Sequence, residues 1–338
     1  MDRLDEMLGR QVSLRALIVL RTLVGPVVLL HLAPFLADAL DGRIYRDTFY
    51  EPYTSWYPEL PRALYVGLLW LAAAAAIAMS LGVLVRLATA TAFAVVTYNL
   101  LLSTTHVHSN RAYLVIILGG LVLAGGAGKE TGPAWPLWLL RFEAAVVYGA
   151  SGVSKLVDPD WFGGTVTWLR TVRVRDELAS SPLPGWAQDV LLDRGFHTGA
   201  AKVIVLTELF VAVGLWWRGT RYVAAWVAVC FHVAIQITAS VQVFSFLAVA
   251  ALVIWAVPST RDRVLVIDLE DQRQRRLAAT VRLLDWLARF RVEPGEVGSS
   301  VRVVDRDGTV LHGRPAVTLA LSRLPVTAWF ALPFRWWR

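Results

Sequence analysis

Tyr148-Gly149-Ala150-Ser151-Gly152-Val153-Ser154-Lys155-Leu156-Val157-Asp158-Pro159-Asp160-Trp161-Phe162-Gly163-Gly164 is the stretch that decides how the rest of the chain is read. An apolar run of helical length ends in a lysine, and a turn with two carboxylates and a Trp follows. The chain holds three Lys against thirty Arg, so a lysine here is a marked choice. A lysine at the end of an apolar run can snorkel to a membrane interface. It can also lose its proton where water is excluded and act as a base, which Arg effectively cannot. Both readings stand at this point, and an ionisable group at a membrane segment is a functional candidate by default. Asp158 and Asp160 are the carboxylates expected to hold Lys155 charged. Tyr148, Ser151 and Gly152 precede it by seven, four and three residues and so share its helical face.

Composition sets the class. Of 338 residues, 56% are hydrophobic and 17% charged, with fifteen Trp. Soluble domains are about 25% charged, so this is expected to be an α-helical polytopic membrane protein. The net charge of +7 is read as membrane-orienting, because the arginines flank apolar runs, and not as a nucleic-acid surface. The lipid bilayer is the expected partner; nucleic acid is not, and no protein partner is named by the sequence. Cys230 is the only cysteine, which rules out an internal disulfide and a Cys-x-x-Cys redox pair.

A spanning helix needs about twenty mostly apolar residues. Working outward from Lys155, eight stretches are expected to span: about 14–36, 61–83, 86–105, a fourth that runs on from the stretch 106–114 to about 126, then 135–155, 199–217, 222–238 and 241–257. The first is expected to stay as an anchor. The loop 41–60 is rich in aromatics (Tyr45, Phe49, Tyr50, Tyr53, Trp56, Tyr57) suited to an interface belt. The long connection 158–198 is expected to lie on the surface as amphipathic helix. After Pro258, which closes the last span, the composition turns soluble, and fourteen of the thirty Arg follow. That divides the chain into 1–258, a transmembrane domain, and 259–338, a small α/β domain. A strand at 264–267, a helix at 277–290, a hairpin at 301–304 and 309–311 around Asp307-Gly308, and a helix at 316–324 are expected in the second. Its arginines argue for the cytoplasm, and an even span count puts both termini there.

Asn110-x-x-Tyr113-Leu114, Tyr148-x-x-Ser151-Gly152-x-x-Lys155-Leu156-x-x-x-x-Trp161-x-x-Gly164, Glu208, Phe231-His232 and Phe244-Ser245-Phe246 together resemble the HTTM family. That membrane domain is shared with vitamin K-dependent γ-glutamyl carboxylase. The resemblance covers about residues 10–260. It implies a chemistry in which a lysine, Lys155 here, deprotonates a reduced vitamin K or menaquinol, which then reacts with O₂. Tyr148, Ser151, Trp161, Asn110, Arg111 and Tyr113 would line the substrate site, and His232 would be a second catalytic group. No metal is expected. Arg111 stands where the carboxylase has a histidine implicated in its active site, and Arg does not shuttle protons at neutral pH. His106 or His108, one turn before, could stand in. The chain also lacks the carboxylase's large lumenal β-rich region. A catalytically silent membrane scaffold and a small-molecule or lipid transporter are the alternatives.

The C-terminal part resembles a DCC-type thioredoxin-like domain in Val266-Ile267-Asp268, in Val281-Arg282-Leu283-Leu284, and in Val303-Val304-Asp305-x-Asp307-Gly308 with Gly313-x-x-Ala316. That family carries a Cys-x-x-Cys after the first strand. Here the stretch is Leu269-Glu270-Asp271-Gln272-Arg273-Gln274, so thiol–disulfide exchange is impossible. For His232, inside a span, Glu208 or Gln236 are the expected partners.

Overall fold

The computed structural model describes residues 2–43, 52–106, 108–239, 243–256, 262–324 and 327. Tyr45, Phe49, Tyr50, Pro258 and the junction between the two expected domains lie outside them. Two compact units emerge, residues 1–140 with 239–338, and residues 141–238.

The first unit opens with α1 (Asp2–Gly9) and β1 (Gln11–Ser13), followed by α2 (Arg15–Leu40), α3 (Arg62–Leu81), α4 (Val85–Leu102) and α5 (Ser109–Leu123). Strand β2 (Thr131–Pro133) pairs antiparallel with β1. Helix α6 (Trp135–Val157) runs from this unit into the second. The second unit continues with α7 (Pro159–Phe162), α8 (Thr165–Arg173), α9 (Arg175–Ala179), α10 (Gly185–Leu192), α11 (Arg194–Gly214) and α12 (Arg221–Ala239). The chain then returns to the first unit with α13 (Val243–Ala251).

A helix occupies each of the eight stretches expected to span. Among the described residues, four helices, α2, α3, α4 and α11, are long and apolar enough to cross a membrane by length and composition. Helices α5, α12 and α13 with the turn after it are apolar but shorter. Helix α6 has the length, 23 residues, but carries Arg141, Glu143 and Lys155. The connection 158–198 is helical as expected and contains no span: four short helices, none longer than nine residues, precede α11. Pro159, Pro182 and Pro184 each remove a backbone donor, and Asp158 and Asp193 begin new helices by accepting amide hydrogens.

In the first unit α2 packs on α3 and α13, α3 on α4, and α4 on α5. The buried face of α2 runs through Leu17, Leu20, Val24, Val28 and Leu32, none more than 2% exposed. Helix ends leave carbonyls without donors, and arginines fill several of them. Arg62 donates to Ala39 O and Leu40 O at the end of α2. Arg221 donates to Leu215 O and Trp216 O just past α11, at 3.0 and 3.3 Å. Buried Arg21 reaches Ala127 O at 3.0 Å.

The C-terminal part of the first unit is a mixed four-stranded sheet with two helices: β3 (Arg263–Ile267), α14 (Gln272–Leu284), β4 (Phe290–Pro294), β5 (Arg302–Val304), β6 (Val310–His312) and α15 (Gly313–Arg323). The order is β4-β3-β5-β6, with β3 and β4 parallel and the other pairs antiparallel. A parallel pair needs a crossover, which α14 provides. The expected helix at 277–290 is corrected: it begins five residues earlier and ends at Leu284, and Phe290 opens β4, a strand the helical spacing hid. Asp271 fixes the start by accepting Arg273 N at 2.7 Å. Asp285 fixes the exit by accepting Arg289 N and Phe290 N at 2.7 and 2.8 Å. Leu265, Ile267, Val281, Phe290 and Val303 form its core with Ala316 and Ala320, each large side chain contributing about 1.5–3 kcal/mol by burial. Where the resemblance would place cysteines, Asp268 accepts Glu270 N and Gly298 N at 2.8 and 2.7 Å. Gln274 completes the closure by accepting Asp268 N at 3.0 Å and donating to Ser299 O at 2.8 Å.

Candidate functional site

The second unit brings Lys155 to the last turn of α6, one turn beyond Ser151 on the same face. Glycine at 152 permits α11 to come close: a Cβ there would sit 2.9 Å from Leu209 Cδ2 and 3.3 Å from Glu208 Cβ. Glu208 therefore reaches the lysine. Lys155 Nζ lies 2.6 and 2.7 Å from the two Glu208 oxygens and 2.6 Å from Ser151 Oγ. Ser151 in turn donates to Glu208 Oε1 at 2.9 Å. The side chains of Lys155 and Glu208 are 16% and 7% exposed. Such short, charge-assisted bonds around a mostly buried pair are the strong kind.

The expected ion partners of Lys155 are thus corrected. Asp158 caps α7, accepting Asp160 N and Trp161 N at 2.9 and 3.3 Å, and the carboxylate on the lysine comes from a helix 53 residues away in sequence. Trp161 does cover the amine, its ring centroid 5.2 Å from Nζ, and Arg170 lies 5.4 Å from the same ring. The turn that aims Trp161 rests on Gly164 at φ +80°. A Cβ there would meet the His197 carbonyl carbon and Thr198 N at 2.5 Å, so α7 and α8 press against the first turn of α11. Thr198 Oγ1 donates to Gly163 O at 2.9 Å across that contact.

Tyr148, one turn before Ser151, points to another group. Its hydroxyl lies 2.7 Å from His232 Nε2 on α12, and both residues are buried. His232 is therefore held by a phenol through Nε2, where sequence reasoning had offered Glu208 or Gln236. Alternation along one face of α6 made Tyr148 visible as a neighbour of Lys155, but the 84-residue separation to His232 left the pair unread. Gln236 Oε1 and Glu143 Oε2 are buried without a hydrogen-bond partner among the described residues.

Asn110, Arg111 and Tyr113 belong to the first unit, at the start of α5. Asn110 N donates to His108 Nδ1 at 3.2 Å, so His108 is a helix cap. Arg111 donates to His106 O at 3.1 Å, and its guanidinium lies 4.8 Å from the Phe35 ring centroid. His106 Nδ1 donates to Asn99 O at 2.8 Å. Burial holds the His106 imidazole below its ordinary range; the bond to Asn99 opposes that, and the Arg111 charge adds to it. Tyr113 is buried, edge-on to Phe244 with ring centroids 6.2 Å apart. Of the eight expected site residues, five lie in the second unit, four of them in two hydrogen-bonded groups and Trp161 over the amine, and three in the first. Glu208 is the residue that sequence reasoning placed beside the wrong partner. Among the described residues, no three His, Cys, Asp or Glu side chains are grouped as metal ligands.

The family model described as HTTM domain matches residues 10–259 of the chain. Neither a curated protein nor a solved structure matches it.

Proposed function

Because the chain belongs to the HTTM domain family, we propose that it is a membrane enzyme that deprotonates a lipid quinol at the Lys155 end of α6. The observation that carries this reading is the Lys155–Ser151–Glu208 group beneath Trp161. The residues fit a reduced naphthoquinone: a charged group with partial exposure for a hydroxyl, and an aromatic face 5.2 Å away for a ring. Such a quinol, reduced vitamin K or menaquinol, supplies an acidic hydroxyl and, once deprotonated, reactivity toward O₂. The protein's part is to hold the hydroxyl at Nζ, to move its proton, and to keep water from the reacting oxygen. Tyr148 and His232 form the second polar pair of that unit and supply a further hydroxyl and imidazole along the same face of α6.

The HTTM match and the apolar helices fit a membrane protein. We read the eight helices named above as eight spans. Both termini then face the cytoplasm, on the arginine density of the last eighty residues. We also read residues 259–338 as a separate, redox-dead, thioredoxin-like domain. Its support is the sheet order β4-β3-β5-β6 with one parallel pair, and a loop after β3 closed by Asp268 and Gln274.

The test is turnover in lipid. Reduced menaquinone is supplied without O₂, O₂ is admitted, and epoxide is followed by chromatography. Wild type is expected to form epoxide and Lys155→Gln, which keeps a hydrogen bond to Glu208, is not. Equal turnover in the variant retires Lys155 from the chemistry. A second reading, a catalytically silent scaffold, is favoured by Arg111, which donates to His106 O and lays its guanidinium against Phe35 in place of a group able to shuttle protons. Absence of epoxide from folded wild type selects it.

A further inference from the structure

The proposed quinol reading leaves open where the substrate proton goes, and the geometry answers differently from a lone basic lysine. An ammonium has three N–H donors and no acceptor. All three of Lys155 have acceptors at hand: Ser151 Oγ at 2.6 Å and the two Glu208 oxygens at 2.6 and 2.7 Å. With the pair ionised, the nitrogen has no lone pair to offer. It accepts a proton only after giving one of its own to Glu208. A direct transfer to the carboxylate ends in the same state. On either route we infer that the proton taken from the substrate hydroxyl comes to rest on Glu208, and that Lys155 serves as the ammonium that holds the resulting oxyanion.

The step balances. One O–H bond of the hydroxyl breaks and one O–H bond forms at a Glu208 oxygen, while Lys155 has three N–H bonds before and after. The substrate oxygen replaces a carboxylate oxygen or Ser151 Oγ on the ammonium. No redox partner is needed for this step. The number of charges also stays constant. An ammonium–carboxylate pair becomes an ammonium–oxyanion pair beside a neutral carboxyl. A lone neutral amine would instead create two charges in a site where its side chain is 16% exposed and Glu208 7%, and separating new charge in low dielectric is costly. Ser151 suits this exchange because it donates to Glu208 Oε1 while it accepts from Lys155, so it steadies both partners.

This inference rests on the quinol reading, and the experiment separates their failures. The full chain in lipid nanodiscs is titrated under strict exclusion of O₂ with 2-methyl-1-naphthol, a monohydroxyl probe that forms no quinone without an added oxidant, and followed by difference infrared and ultraviolet absorption. Wild type is expected to gain a protonated-carboxyl C=O band together with the absorption of the naphtholate. The Glu208→Gln variant should bind the probe but show neither change. In the epoxide assay Glu208→Gln should lose about a hundredfold or more in rate, the scale of a lost general base. If Glu208 merely restrains Lys155, removing its charge frees the amine, and Glu208→Gln stays within about tenfold of wild type or exceeds it; that result overturns the inference and leaves the quinol reading intact. So does naphtholate formation with no carboxyl band, or a band that persists in Glu208→Gln. Failure of wild type to bind the naphthol overturns both.

Discussion

Replacing Lys155 with Met should destabilise the protein far more than replacing Lys155 and Glu208 together. At about 2.7 Å and an effective dielectric of about 20, the pair attraction is about 6 kcal/mol. Burial opposes it with several kcal/mol per ion. The side chains are 16% and 7% exposed, so solvent screening removes little of either term. The pair as a whole is then close to neutral against an apolar replacement, whereas a stranded partner costs about 3–5 kcal/mol. Lys155→Met leaves Glu208 with Ser151 as its one remaining donor in this group, and the loss should be about 3–5 kcal/mol. Lys155→Met with Glu208→Gln keeps the Ser151 bond and strands no charge, so it should recover at least about 2 kcal/mol of that loss. The assay is unfolding of the full chain from mixed micelles by added SDS, read through its fifteen Trp. A cycle in which the two single losses add to the double within about 0.5 kcal/mol would refute the reasoning, because contacting partners must couple.

Two further outcomes can be checked on the same preparation. Gly164→Ala must place a Cβ at positive φ and 2.5 Å from the His197 and Thr198 backbone; it should cost about 2–5 kcal/mol and loosen Trp161 from Lys155, seen as a change in Trp fluorescence, whereas Gly199→Ala, where a Cβ meets nothing within 4 Å, should be neutral. Asp271 is held below its ordinary carboxyl value of 3.8, first by the Arg273 amide and then by the Gln274 side chain. The stability it contributes is present above that ordinary value and is lost as pH falls through the lower folded-state value, so Asp271→Asn should flatten the acid limb of the melting-temperature profile. An unchanged limb would show that other carboxylates set it.

Much of the fold was legible because it is written in local terms. Helices stand at all eight apolar stretches, since an apolar run has few other ways to satisfy its backbone in a low-dielectric setting, and α2 continues even through Pro26 and Pro34. Length was less legible: α5 and α13 stop short where Gly125 and the 3₁₀ turn from Leu252 interrupt the ladder. Strand β4 was hidden because Leu284, Leu287 and Phe290 continue a helical spacing, and it is Asp285, bonding two downstream amides, that breaks the helix. At the site, spacing on α6 was enough to group Tyr148, Ser151, Gly152 and Lys155. The partners of those residues, Glu208 and His232, come from other helices, and a one-dimensional pattern carries no information on which of two buried groups meets which acid.

The arginines that end helices bear on composition itself. Arg62 and Arg221 each present two nitrogens to two successive carbonyls, and Arg289 reaches the Arg323 carbonyl at the end of α15 at 2.8 Å. A lysine carries its three donors on one nitrogen, without the rigid planar fork that lets two separate nitrogens each meet one of two successive carbonyls. At Arg62 and Arg221 the side chain thus contributes geometry as well as charge. A gene rewritten with lysine at these positions would encode the same net charge of +7 and hold those helix ends less firmly. Charge counts alone would not reveal the difference between the two proteins.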